Sequence, residues 1–128
     1  HNFFVNRLLL PSLRRPESKT AAVRDAYLRP FPTPASRMGT YVFPREINNA
    51  TAWLMSIQAK LNTLADVPVE LVMGMKDVLL ASETFISRWQ QIFPNAALDR
   101  VEDAGHFFQE DAPDRVAAAV QRIVERLP

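Results

Sequence analysis

The chain has 128 residues, 48% of them hydrophobic and 23% charged, with a formal net charge of +1 at pH 7; that is enough for one small domain, and the balance asks for neither nucleic acid nor a membrane as partner. It contains no cysteine, which excludes disulfides and thiolate metal sites and suits a reducing, cytoplasmic setting. No apolar run approaches the roughly 18 residues of a membrane-spanning helix.

In order, the chain opens at His1 rather than Met and without a signal-like segment, so a start inside a longer gene product is expected. Phe4, Val5, Leu8 and Leu9 recur at helical spacing and Pro11 ends the turn, which predicts a short buried helix. Ser18 stands where it would cap a second helix over residues 19–28, with Val23, Tyr27 and Leu28 on one side and Pro30 as its stop. Pro30, Pro32 and Pro34 alternate through residues 29–37, a pattern that predicts an extended surface connection. Residues 41–47 read as a loop leading into a third helix over about residues 49–64, whose apolar stripe is Trp53, Leu54, Ile57, Leu61 and Leu64. Asp66, Val67 and Pro68 then mark a boundary between a helical unit, residues 1–65, and an α/β unit, residues 66–128.

In the second unit two short apolar runs, residues 69–73 and Ala97–Val101, are strand-like. Between them Ser82 caps a helix over residues 83–93, in which Phe85, Ile86, Trp89 and Ile92 cover a sheet. Asp111, Pro113 and Asp114 signal the start of a last helix with Val116, Val120, Ile123 and Leu127 on its packed face.

Each strand-like run is followed by a break holding one residue suited to proton chemistry, Asp77 after the first and His106 after the second. In open parallel α/β sheets the ligand crevice lies outside the carboxyl ends of the strands, so residues just past two neighbouring strands converge there. A carboxylate bonded to one ring nitrogen fixes the imidazole tautomer and leaves the other nitrogen free to take a proton. Alone, an Asp after a strand is a common turn residue; the spacing of the two, with room for one helix and one strand between them, is what makes a pair. Asp99, Glu102 and Asp103 are rival acids near His106, but residues so close along the chain are poorly placed to hold the ring from behind.

The third member of a triad is not legible. A hydrolase of this design carries its nucleophile on a sharp strand-to-helix turn flanked by glycines, before the acid and the His, and Gly39, Gly74 and Gly105 have no such spacing. Two parallel strands also need more neighbours and cover on both faces. The expected fold class is therefore α/β: the carboxyl-terminal part of an α/β-hydrolase fold, its last two parallel strands with flanking helices, preceded by a helical cap. The rest of the sheet is expected from an earlier part of the same gene product, from a second chain or from exchange between copies.

Gly74-Met75-Lys76-Asp77 after an apolar strand, with Asp103-Ala104-Gly105-His106-Phe107 and Gln109-Glu110-Asp111-Ala112-Pro113-Asp114-Arg115 further on and an Asn2-Phe3-Phe4-Val5 opening, resembles the haloalkane dehalogenases of the α/β-hydrolase superfamily. The closest subgroup carries its triad acid after this later strand. The resemblance covers residues 67–127 strongly and residues 1–64, as the helical cap, more thinly. It implies Asp77 as triad acid and His106 as base, with Val78, Leu79 and Phe107 bordering the substrate cavity; Phe4 of the apolar opening is a further candidate for that cavity. The family's nucleophile, an aspartate beside a halide-holding tryptophan, and its asparagine halide donor fall upstream of this chain. The implied substrates are haloalkanes, with halide released and no metal or organic cofactor. An epoxide hydrolase, which would use Tyr27 or Tyr41, and a catalytically silent assembly piece are the alternatives.

Overall fold

The computed structural model describes residues 2–127; His1 and Pro128, the outer bounds of the two expected units, lie outside the described residues. The chain begins with a π-helical turn, Phe4–Leu9, that runs into α1 (Leu10–Ser12). Pro11 does not end this helix. It sits within a helical run that continues from the π-helical turn into α1, where it forgoes one helical N–H bond, and the backbone turns extended only at Leu13. The buried side chains are Val5, Leu9 and Leu13, four residues apart on one side, while Leu8 is exposed.

Ser18 does not cap the second helix. It lies in a 3-10 turn, Pro16–Ser18, and α2 (Ala21–Leu28) is capped by Thr20, whose hydroxyl accepts the Val23 N–H at 3.1 Å. Nor are residues 29–37 an extended connection: they end in a 3-10 turn, Ala35–Arg37, that starts α3 (Met38–Asn49). α3 occupies the stretch expected as a loop, and Pro44 stands inside it. A proline there removes one helical N–H, yet the helix continues on both sides of it. The helix expected over residues 49–64 is divided, because Ala50, at φ −86° and ψ 11°, separates α3 from α4 (Thr51–Gln58), and Leu61–Leu64 is a 3-10 turn. Its predicted core stripe is not a core: Trp53 is 63% exposed, Leu54, Ile57 and Leu64 are exposed as well, and only Leu61 is half-buried. Periodicity reports an apolar face, and burial also needs a surface to lie against.

The strands form as expected. β1 (Glu70–Gly74) lies parallel to β2 (Ala97–Val101), with Glu70 opposite Ala97 and Gly74 opposite Val101. Because side chains alternate along a strand, this register puts Glu70, Val72, Asp99 and Val101 on one face and Leu71, Met73, Leu98 and Arg100 on the other. α5 (Glu83–Ile92) connects the strands, with Ser82 as its cap accepting the Phe85 N–H at 3.2 Å, Ile86 buried, and Glu83 paired with Arg100. After β2 come α6 (Phe108–Asp111) and α7 (Pro113–Val124). α7 covers the opposite face: Arg115 pairs with Asp99, and Arg122 and Arg126 both pair with Glu70, whose side chain is 3% exposed. Two expectations fail here. Asp111 does not cap α7, whose N-cap is Ala112 without a side-chain bond. The face on the sheet is Val116, Ala119 and Ile123, with Val120 and Leu127 exposed.

Beyond the strands the two segments stay joined. The Met75 N–H donates to the Val101 carbonyl and the Lys76 N–H to the Ala104 carbonyl, both at 2.9 Å. A Cβ on Gly74 would lie 2.2 Å from the Gly105 carbonyl oxygen, and one on Gly105 would lie 2.3 Å from that of Ser12. Val101, Ala104 and Ala112, with Val72 and Phe108 against them, form the buried cluster beneath. Among the described residues no helix is long and apolar enough to cross a membrane. Since the atoms facing Gly74 are backbone, Gly74→Ala is expected to lower unfolding stability by about 1–3 kcal/mol, read as a lower urea midpoint in the protein that contains this chain; an unchanged midpoint contradicts the close approach.

Candidate active site

The backbone contact at Gly74 and Gly105 sets the starts of two turns side by side, and each turn carries one polar side chain to the same place. His106 Nδ1 lies 2.8 Å from Asp77 Oδ2. The Asp77 side chain is 9% exposed and that of His106 38%. The other carboxylate oxygen, Oδ1, accepts the Leu79 N–H at 2.8 Å, and the Asp77 N–H donates to the Gly74 carbonyl at 3.0 Å. A carboxylate held in this way presents one fixed oxygen to the ring. The Nδ1 contact fixes which tautomer the ring adopts and leaves Nε2 as the basic atom. Among the described residues Nε2 has no hydrogen-bond partner.

The rival acids are engaged elsewhere. Asp99 pairs with Arg115 and Asp103 with Arg15, the latter through two contacts at 2.8 and 2.9 Å, while Glu102 is exposed. Of the expected cavity residues, Phe107 packs edge-on against the His106 ring at 5.1 Å, and Phe4 packs edge-on against Phe107 at 6.2 Å. Phe4 also lines a cleft of about 350 Å³ with Phe3, Leu8, Phe31 and Tyr41. Val78 and Leu79 are not gathered with them: Val78 is 88% exposed and Leu79 is exposed as well. Among the described residues no cluster of three or more His, Cys, Asp or Glu side chains is arranged to hold a metal ion.

A second carboxylate near this site escaped the sequence. Asp111 is 3% exposed and accepts the Arg14 N–H at 3.0 Å on both oxygens, the Arg15 N–H at 3.0 Å and the Gly105 N–H at 2.8 Å. The Ser18 hydroxyl lies 2.6 Å from the same carboxylate. Its position just before Pro113 imitates a helix cap, so the sequence pointed to the wrong role. Tyr27 was likewise not tied to the second unit by its sequence. Its hydroxyl lies 2.8 Å from Glu110 Oε1 and accepts from Gln109 Nε2 at 3.2 Å. Burial, above all, together with the neighbouring Glu110 raises the Tyr27 pKa.

Two parallel strands flanked by helices, with an acid after the first strand bonded to a histidine after the second, define the class. The chain belongs to the alpha/beta hydrolase family, which it matches over residues 3–119, and it corresponds to a carboxyl-terminal part of that fold. Within the family its likeness is to the haloalkane dehalogenases. It is 40% identical over 121 residues to haloalkane dehalogenase 2 of Mycobacterium tuberculosis H37Rv, covering 93% of this chain and 41% of the relative. It is 31% identical over 116 residues to a cis-3-alkyl-4-alkyloxetan-2-one decarboxylase of Shewanella oneidensis, covering 87% of this chain and 36% of that protein. The crystal structure of haloalkane dehalogenase DbeA from Bradyrhizobium elkani superposes with a TM-score of 0.79 at 29% identity, covering 94% of this chain and 42% of that one. The chain thus spans about 41% of the length of the dehalogenase relative it matches.

Burial works to raise the Asp111 pKa, but the hydrogen bonds from Ser18, Gly105, Arg15 and Arg14 outweigh it and hold the carboxyl below its ordinary value. A carboxyl whose folded-state pKa is depressed contributes stability in full above its unfolded value, roughly pH 4. That contribution is lost as the pH falls through the folded value. The acid limb of a melting-temperature profile is therefore expected to fall below about pH 4 in the parent protein and to be flatter in Asp111→Asn; identical limbs contradict this account.

Proposed function

We propose that this chain supplies the acid and base of a haloalkane dehalogenase, with Asp77 orienting His106, and that an aspartate nucleophile and halide donors come from the remainder of the hydrolase core. The observation that carries the reading is the 2.8 Å contact between Asp77 Oδ2 and His106 Nδ1 at the ends of two neighbouring parallel strands. In this reading residues 1–65 act as the helical cap and residues 66–128 as part of the core, in a cytoplasmic enzyme. Phe4 and Phe107 border the substrate beside the ring, and Val78 and Leu79 complete that border when the rest of the core covers them.

The chemistry follows from the pair. A carboxylate oxygen of the nucleophile displaces halide from an sp³ carbon; the carbon–halogen bond breaks, the halide leaves with the electron pair and an alkyl ester remains on the enzyme. N–H donors stabilise the negative charge that develops on the leaving halide. His106 Nε2 then takes a proton from water as its oxygen attacks the ester carbonyl, and Asp77 stabilises the imidazolium that forms. The ester collapses to alcohol and free carboxylate, and the proton returns from His106 to solvent. No metal or organic cofactor enters these steps.

An epoxide hydrolase of the same design would need tyrosine hydroxyls aimed at the substrate. The Tyr27 hydroxyl donates to Glu110, which commits its proton and favours the dehalogenase; the Tyr41 hydroxyl accepts from Arg45 on an exposed side chain. The chain alone carries no nucleophile turn and is expected to be silent.

The test uses the complete gene product with short chlorinated and brominated alkanes and with styrene oxide. Halide release is expected from the haloalkanes. His106→Ala is expected to release about one halide per active site and then stop, since only the second step needs the base, with steady turnover lowered by at least about 10²–10⁴-fold. Asp77→Ala is expected to lower turnover by about 10⁴-fold, the scale of losing the tautomer-setting acid in a comparable triad. Undiminished turnover in either variant refutes the assignment, and activity on the epoxide alone refutes the substrate class.

A further inference from the structure

We propose that Asp111 is a positioning residue for His106, holding the backbone from which the imidazole projects through the Gly105 N–H and the segment Arg14 to Ser18. This rests on the reading of His106 as the base, and it assigns a role to a carboxylate that the reaction itself does not use.

The His106 ring is poorly held by packing. It is more than one-third exposed, and its recorded side-chain partners are Asp77 and the edge of Phe107. Its place is therefore set by the peptide unit before it, and that unit is Gly105. Gly105 is clamped from two sides: its N–H reaches Asp111 Oδ2 at 2.8 Å, and its Cα stands so close to the Ser12 carbonyl that no side chain fits between them. Asp111 controls both clamps, because the Arg14 and Arg15 N–H groups that it accepts belong to the segment directly following Ser12.

A buried carboxylate is costly to desolvate, and it persists where donors surround it. Here backbone N–H donors approach both oxygens, and the Ser18 hydroxyl faces Oδ1. An amide is not an equivalent replacement, since one of its two positions must turn N–H groups toward backbone N–H donors. The Asp77 carboxylate holds the ring and the Asp111 carboxylate holds its backbone, so the two residues act on the same imidazole from different ends. A displacement of about 1 Å at such a group costs on the order of 10²-fold in rate.

The test compares Asp111→Asn and Ser18→Ala with the parent in the complete gene product. The first readout needs no substrate: the rate at which the His106 Nδ1 proton, bonded to Asp77, exchanges with solvent, followed by nuclear magnetic resonance. Exchange is expected to accelerate about tenfold or more in Asp111→Asn and by a smaller factor in Ser18→Ala. The second is haloalkane kinetics per folded molecule, with the folded fraction read from near-ultraviolet circular dichroism; kcat is expected to fall about tenfold or more in Asp111→Asn at unchanged KM. A merely structural role lowers the folded fraction and leaves both readouts at parental values, which overturns the proposal. Should Asp111→Asn not fold, parental exchange and kcat in Ser18→Ala overturn it as well. Accelerated exchange in a protein whose parent releases no halide supports the positioning role and refutes the dehalogenase reading instead.

Discussion

The structure depends on a place where three stretches of backbone meet with no side chain between them. Gly74 ends β1, Gly105 precedes His106, and Ser12 closes the first helical segment; a Cβ on either glycine would strike the next carbonyl oxygen in the series. Sheet pairing alone stops at the ends of β1 and β2. The glycine contact, with the Met75 and Lys76 N–H bonds alongside it, carries the registration past the strands and into the turns. Asp77 and His106 meet because the backbones beneath them have already met.

Around that point the chain uses buried or nearly buried carboxylates as ties between segments distant in sequence. Glu70 binds the end of the chain to β1 through Arg122 and Arg126, Asp99 binds α7 to β2 through Arg115, and Asp111 binds residues 14–18 to the His106 turn. A two-stranded sheet buries little apolar surface, and its buried cluster is built around small side chains at Ala104 and Ala112. Charged ties of this kind add little net stability once desolvation is counted. They specify direction, and here they fix which helix lies on which face and in what register.

The helical half behaves differently. α3 and α4 present Tyr41, Phe43, Ile47, Trp53 and Met55 to solvent, while Leu54, Ile57 and Leu61 line a groove together with Phe85, Trp89 and Ile92 of α5. The chain spans about 41% of the length of the dehalogenase relative it matches. Sequence expectation and structure differ most between residues 29 and 64. Residues 41–47, expected as a loop, lie in α3 with Pro44 inside it, and a stripe of good helical period gives no information about whether a surface lies against it.

Local signals in the sequence determined the strands, the Ser82 cap, the order of acid and histidine and the family likeness, because alternation, capping chemistry and short motifs are properties of neighbours along the chain. Tertiary structure alone decided the rest. Ser18 and Asp111 both carry capping residue types at plausible cap positions, yet they face one another across 93 positions of sequence and serve the His106 turn instead. A side chain that can bond either to its own backbone or to a distant one looks the same in sequence; the choice is made only when folding brings the distant donors within reach.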